Sequence, residues 1–148
     1  MSASGVFPST DLAIRMGADF VISMWAFTRD ANDQVAVWDL TGYTFDGQIR
    51  ASLTDASALL VELDSYLSAS APPAGGWTDT AAIKNGFINY WKITLNILNT
   101  AIAHDNANII AAKYKGVWSM TLTDAGGAGR VFPGPSGNVT FIATAIQS

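Results

Sequence analysis

WDLTGYTFDGQIRAS, residues 38–52, is the stretch on which the fold turns. Asp39-Leu40-Thr41-Gly42 bends the backbone, with Gly42 free to take a positive φ. Beyond the bend, Tyr43, Phe45, Gly47, Ile49 and Ala51 fall on one side, and Thr44, Asp46, Gln48 and Arg50 on the other. That alternation describes a strand with one buried and one polar face. The stretch reads as scaffold.

Working outward, the same period of two recurs. Upstream, Leu12, Ile14 and Met16 share a face, and in ADFVISMWAFT the residues Phe20, Ile22, Met24 and Ala26 oppose Val21, Ser23, Trp25 and Phe27. RDANDQ (29–34) supplies a hairpin turn, because Asp and Asn bond to their own backbone, and Val35 and Val37 form a short return strand. Downstream, Leu59 to Leu63 is a strand candidate within a segment that could also carry a helical turn. SASAPPAGGWTDT (68–80) reads as a low-complexity linker broken by Pro72-Pro73 and Gly75-Gly76. GFINYWKITLN (86–96) alternates as a strong strand, and Asn99 to Ala112 carries one or two helical turns capped by Asn99 or Thr100. YKGVWSMTLTD (114–124) is a further strand, AGGAG (125–129) a hairpin turn, RVF its answer, GPSGN another turn and VTFIATAI the last strand. Eight or nine short strands with turns between them predict an all-β, antiparallel, immunoglobulin-like β-sandwich with one short helical segment. Residues 1–10, MSASGVFPST, are expected to form an arm, and 11–148 a single sandwich domain.

Composition restricts the function. At 148 residues with 49% hydrophobic and 14% charged content, the chain can bury a core without metal or disulfide staples. The net charge is −4 and the eight Lys and Arg are scattered, so no basic face for nucleic acid is visible. With no cysteine there is no thiolate zinc site and no cysteine nucleophile. The longest apolar run, Phe20 to Phe27, is far short of a membrane span, and no secretory signal is expected, since the first twenty residues hold no basic stretch followed by an apolar run. A soluble protein without nucleic-acid or membrane partners is expected.

VWDLTGYTFDGQIRAS and, downstream, YKGVWSMTLTDAGGAGRVFPGPSGNVTF resemble a β-sandwich domain of bacteriophage virion proteins, found in small tail proteins and in the N-terminal domains of baseplate upper proteins. The likeness runs from about Met16 to Ile146. Asp64 to Ala82 is longer than a minimal member needs, and the helical stretch around His104 is less apolar than expected. The resemblance implies a structural role in a tail, baseplate, neck or fibre-attachment ring, located in the virion after synthesis in the host cytoplasm. It also implies contacts with other virion proteins, including copies of the same chain. It carries over no catalytic residue and no cofactor.

The candidate chemical residues reduce to bland readings. His104 is the sole histidine, and Asp105 beside it would point away on a helix. Glu62 and Asp64 lie two apart on one strand face, which suits solvated carboxylates better than an acid–base pair. Asp30, Asn32 and Asp33 lack the glycine and glutamate of a calcium loop, and AGGAGR lacks the Lys-Ser/Thr of a phosphate loop. No enzyme, metal or cofactor is expected. Among five tryptophans, Trp25, Trp91 and Trp118 sit within strand alternations, whereas Trp77 lies in the linker. An exposed indole can stack on a sugar ring, so a glycan- or receptor-binding module is the alternative to assembly. The partner contacts expected are Val6 and Phe7 in the arm and Pro72, Pro73 and Trp77 in the loop.

Overall fold

The computed structural model describes residues 9–54, 57–124 and 130–143. Nine strands are found there: β1 (Leu12–Arg15), β2 (Phe20–Arg29), β3 (Val35–Val37), β4 (Tyr43–Arg50), β5 (Leu59–Glu62), β6 (Leu67–Ser70), β7 (Trp91–Ile97), β8 (Lys115–Asp124) and β9 (Val131–Ile142). Two short helices join them, α1 (Thr80–Asn85) and α2 (Ala107–Ala111). One sheet runs β1-β9-β8-β4-β5 and the other β3-β2-β7-β6. Strands adjacent in sequence repeatedly lie in different sheets, and β4 pairs with β8 across 65 or more residues of chain. This is an immunoglobulin-like sandwich, with β5 extending the sheet beside β4 as in variable-type domains.

The alternation of the opening stretch is realised residue by residue. Gly47 and Ile49 are buried, Tyr43 and Phe45 pack against the core, and Thr44 and Asp46 face solvent. The bend before the strand is fixed by Asp39, whose Oδ1 accepts from the Thr41 backbone N–H (2.9 Å) and hydroxyl (2.6 Å). Gly42 follows at φ 78°. Trp38 and Leu40 anchor the bend in the core, the indole meeting Tyr43 and Phe132 edge-on at 5.7 and 5.6 Å. From the other strands come Ile14, Ile93, Leu95, Ile97, Trp118 and Leu122, all essentially without solvent contact.

Several expectations need correction. The sheet is not wholly antiparallel: β1 runs parallel to β9, Leu12 opposite Val139 through Arg15 opposite Ile142. This is possible because β2, the next strand, belongs to the other sheet, so β1 is free of hairpin geometry. Ser68–Thr80 is not wholly linker. Leu67 and Ala69 point inward against Leu95 and Ile93 as β6, an alternation muted by the small Ser and Ala residues. Strand β7 starts at Trp91, not Gly86. Helix α1 precedes it, and Phe87 N–H bonds back to the Ala82 carbonyl (2.8 Å), lifting Phe87 out of the strand path.

Helical structure is likewise spread over several short pieces. Beyond α1, 3₁₀ turns occupy Asp64–Tyr66 and Asn99–Ile102. The cap of α2 is Asn106, whose side chain accepts from the N–H groups of Asn108 and Ile109, both at 3.1 Å. Asn99 instead donates its N–H to Asp19 (2.8 Å). GPSGN is not a turn. β9 runs through it with a register irregularity between Ser119 and Thr121. Pro133 and Pro135 are tolerated because β1 flanks β9 only further along, leaving that half of the strand an edge. The AGGAG hairpin lies outside the described residues.

Candidate functional site

Trp77 is the one candidate contact residue around which the structure assembles a cluster. Its backbone N–H bonds to the Ile88 carbonyl (2.8 Å) and its indole N–H to the Tyr90 carbonyl (2.7 Å). The loop thereby folds onto the outer face of the four-stranded sheet, where β2 and β7 place Trp25 opposite Lys92. Trp25 meets Trp77 at 6.2 Å and Phe87 at 5.7 Å, and Phe27 stacks with Phe87 at 6.4 Å. The Lys92 ammonium stands 4.1 Å from the Trp77 ring centre and 5.0 Å from that of Trp25, with Asp79 3.8 Å away.

All these rings are half-buried. The cluster can do two things: pin the 71–90 loop to the sheet, and hold a cation against two indoles, a place that Lys92 already takes. Pro72 is half-buried and Pro73 exposed. Pro73 contributes its carbonyl to a turn closed by Gly76 N–H (2.8 Å). Val6 and Phe7 lie outside the described residues.

A second feature lies on the outer face of the five-stranded sheet. A hollow of about 280 Å³ is lined by Asp46, Gln48, Glu62, Asp64, Ser119 and Thr121, with Gly47 and Met120 at its floor. Glu62 closes β5, and Asp64 opens the following 3₁₀ turn and accepts the Gly47 backbone N–H (2.9 Å). The two carboxylates are therefore not on one strand, yet the turn brings them together. Partial desolvation, followed by the hydrogen bond and charge of Asp64, pushes the Glu62 carboxyl above its ordinary value, while Gln48 Nε2 at 3.3 Å from Glu62 Oε2 opposes this. The neighbouring Asp64 thus favours the protonated form of Glu62.

Next to it, a hollow of about 160 Å³ is lined by Gln48, Arg50, Ser52, Leu53, Val117 and Ser119. Arg50 is held by Gln48 Oε1 (2.7 Å) and the Ser57 carbonyl (2.9 Å). His104 packs against Gly17, leaving no space for a β-carbon there. Among the described residues no group of three or more His, Cys, Asp or Glu is arranged to hold a metal.

Sequence reasoning missed the partners of Trp77. Trp25 and Lys92 were legible as outward residues of two alternating strands, but their pairing depends on register. Phe87 was assigned to a strand it does not join.

The chain matches no family model and no curated protein. Among solved structures it is similar to a chicken TCR crystal structure at 10% identity and a TM-score of 0.43. The match covers 98% of this chain and 51% of that one, so the chain spans about half the length of that neighbour. The immunoglobulin-like assignment made above rests on strand order and pairing.

Proposed function

We propose that the protein is a structural component of a bacteriophage particle, working by protein–protein assembly in a tail, baseplate, neck or fibre-attachment ring. The observation that carries this reading is the segment Trp38–Arg50. Its resemblance to the virion sandwich domain covers the turn held by Asp39 and Gly42 and the whole of β4, a scaffold element with no reactive group of its own. The side-chain arrangements described above also favour a scaffold: a loop staple around Trp77, whose indole is bonded to the Tyr90 carbonyl. The partners are other virion proteins and further copies of this chain, and the location is the virion.

The glycan-binding alternative draws on the same aromatic cluster. It is the weaker reading because Lys92 stands over the Trp77 ring that a sugar would need. Removal of residues 2–8 tests the assembly reading. The shortened chain is expected to fold with an unchanged melting temperature and to be lost from particles. Normal packaging of the shortened chain would place the contact surface elsewhere.

A further inference from the structure

The outer face of the five-stranded sheet carries the two hollows described above, with Ser52 and Leu53 rising beside one of them, whereas the opposite sheet is partly covered by the 71–90 loop. Charge on this face is arranged along the strands. Arg15 and Lys115 stand at one end: Lys115 is opposite Thr140, and Arg15 is opposite Ile142, two residues further out. Asp46, opposite Thr121, stands towards the other end, and Glu62, opposite Gln48, lies two residues nearer the middle. Arg50 and Asp11 lie at intermediate levels, Arg50 opposite Val117 and Asp11 accepting from the Asn138 N–H. Two ion pairs, Arg29–Asp33 and Lys92–Asp79, belong to the other sheet.

The geometry points to a two-fold homodimer in which this face packs on the same face of a second copy. A symmetric interface uses one patch twice, so a patch with opposite charges at its two ends is self-complementary only when the strands run antiparallel across it. Lys115 and Thr121 are six residues apart, about 20 Å at strand rise. A two-fold axis crossing the strands at the level of Trp118 brings each Lys115 over the partner's Thr121. The partner's Asp46 is then about one strand spacing, ~4.8 Å, to the side, within reach of a lysine. The symmetry makes two such pairs. An axis along the strands would instead set like charges opposite one another.

Size and chemistry agree with this packing. The strands β1, β9, β8, β4 and β5 hold 4, 12, 10, 8 and 4 residues, and at about 3.4 Å rise and about 4.8 Å spacing they present roughly 600 Å², the lower end of what one partner contributes to a specific interface. The middle of the face is small and polar, Ser119, Thr121, Ser136 and Asn138, which permits close approach. Exposed apolar side chains lie around it: Leu59, Ile142, Val131 and the 88% exposed Leu53. This dimer is a property of the isolated chain, and it stands or falls independently of whether the chain is part of a virion.

Sedimentation velocity on the full chain is the test. The unmodified protein is expected at dimer mass, weakening as salt is raised. Asp46→Lys and Lys115→Glu, both at exposed positions, should each give monomers with an unchanged melting temperature, since each sets like charges face to face twice. An equimolar mixture should recover dimers at least tenfold tighter than either variant alone, because both pairs become opposite in sign. Should either reversal lower the melting temperature, Asp46→Asn and Lys115→Gln replace it, each expected to weaken the dimer several-fold. A monomeric unmodified protein at its highest soluble concentration would overturn the proposal. So would a dimer indifferent to the substitutions, or a mixture that fails to re-associate.

Discussion

The indole N–H of Trp118 donates to the carbonyl oxygen of Thr10 at 2.7 Å, joining the middle of β8 to the residue just ahead of the first strand pair. Thr10 is held a second time through its own N–H, bonded to the Ser136 carbonyl at 2.8 Å. A core tryptophan needs a partner for its single donor, and here the partner is backbone that would otherwise fray. Trp118→Phe is expected to destabilise the fold by about 1–3 kcal/mol, since it removes this part-buried hydrogen bond. The same bonds set the limit of safe truncation. Removing residues 2–8 should leave the melting temperature intact, whereas removing 2–11 should lower it by several degrees in a calorimetric scan. Equal melting temperatures for the two truncations would mean that the Thr10 contacts contribute nothing.

Gly42 gives a clean test of backbone strain. A β-carbon there would meet nothing within 4 Å, so only the φ of 78° opposes substitution. Gly42→Val should cost about 1–3 kcal/mol and Gly42→Asn distinctly less, since asparagine tolerates the left-handed region. Equal midpoints for both variants in urea denaturation would contradict this.

These two sites show what could be read from residues alone. The β4 alternation and the Gly42 bend follow from local sterics and a period of two, so they are legible in a single stretch. β6 is a different case. Its inward Leu67 and Ala69 are separated by Ser68 in a run of small residues, and only packing against β7 reveals them. β9 was obscured by Pro133 and Pro135, whose missing donors are harmless only on the half of the strand that β1 leaves uncovered. The Trp77 cluster and the Glu62–Asp64 pair are products of register and of a short 3₁₀ turn. Neither is encoded in residue spacing. Val6 and Phe7 stay expectations of the sequence, since they lie outside the described residues.

Stability should carry a pH signature from Glu62. Its carboxyl is raised above the ordinary value in the folded chain, so the native state holds a proton that the unfolded chain releases more readily. Its contribution is therefore fully present below the ordinary glutamate value of 4.5 and is lost as pH rises through the raised value. Glu62→Gln, which keeps the neutral form, should be at least as stable as the unmodified protein at neutral pH. The difference should vanish below about pH 4.5. Asp39 contributes in the opposite sense. Its carboxyl is lowered by the Thr41 hydroxyl and then by the Thr41 N–H, so its support is present above the ordinary 3.8 and fades as pH falls through the lowered value. A Glu62→Gln variant less stable at neutral pH than at acid pH, relative to the unmodified protein, would reverse the assignment.

The aromatic staple predicts local loosening without global unfolding. Trp77→Ala removes the bond to the Tyr90 carbonyl and the ring beneath Lys92. A loss of about 2–3 kcal/mol is expected for a half-buried tryptophan. Limited proteolysis should cut first within residues 71–90, while the strand amides keep their protection from hydrogen exchange. Uniformly faster exchange across both sheets would show that the cluster supports the whole sandwich.

Assembly into a phage particle is the central claim, and quantitative mass spectrometry of purified particles tests it most directly. The account predicts that peptides of this chain co-purify with intact particles in a fixed ratio to the other structural proteins, unchanged by a high-salt wash. A chain abundant in the infected-cell lysate but missing from purified particles would contradict it.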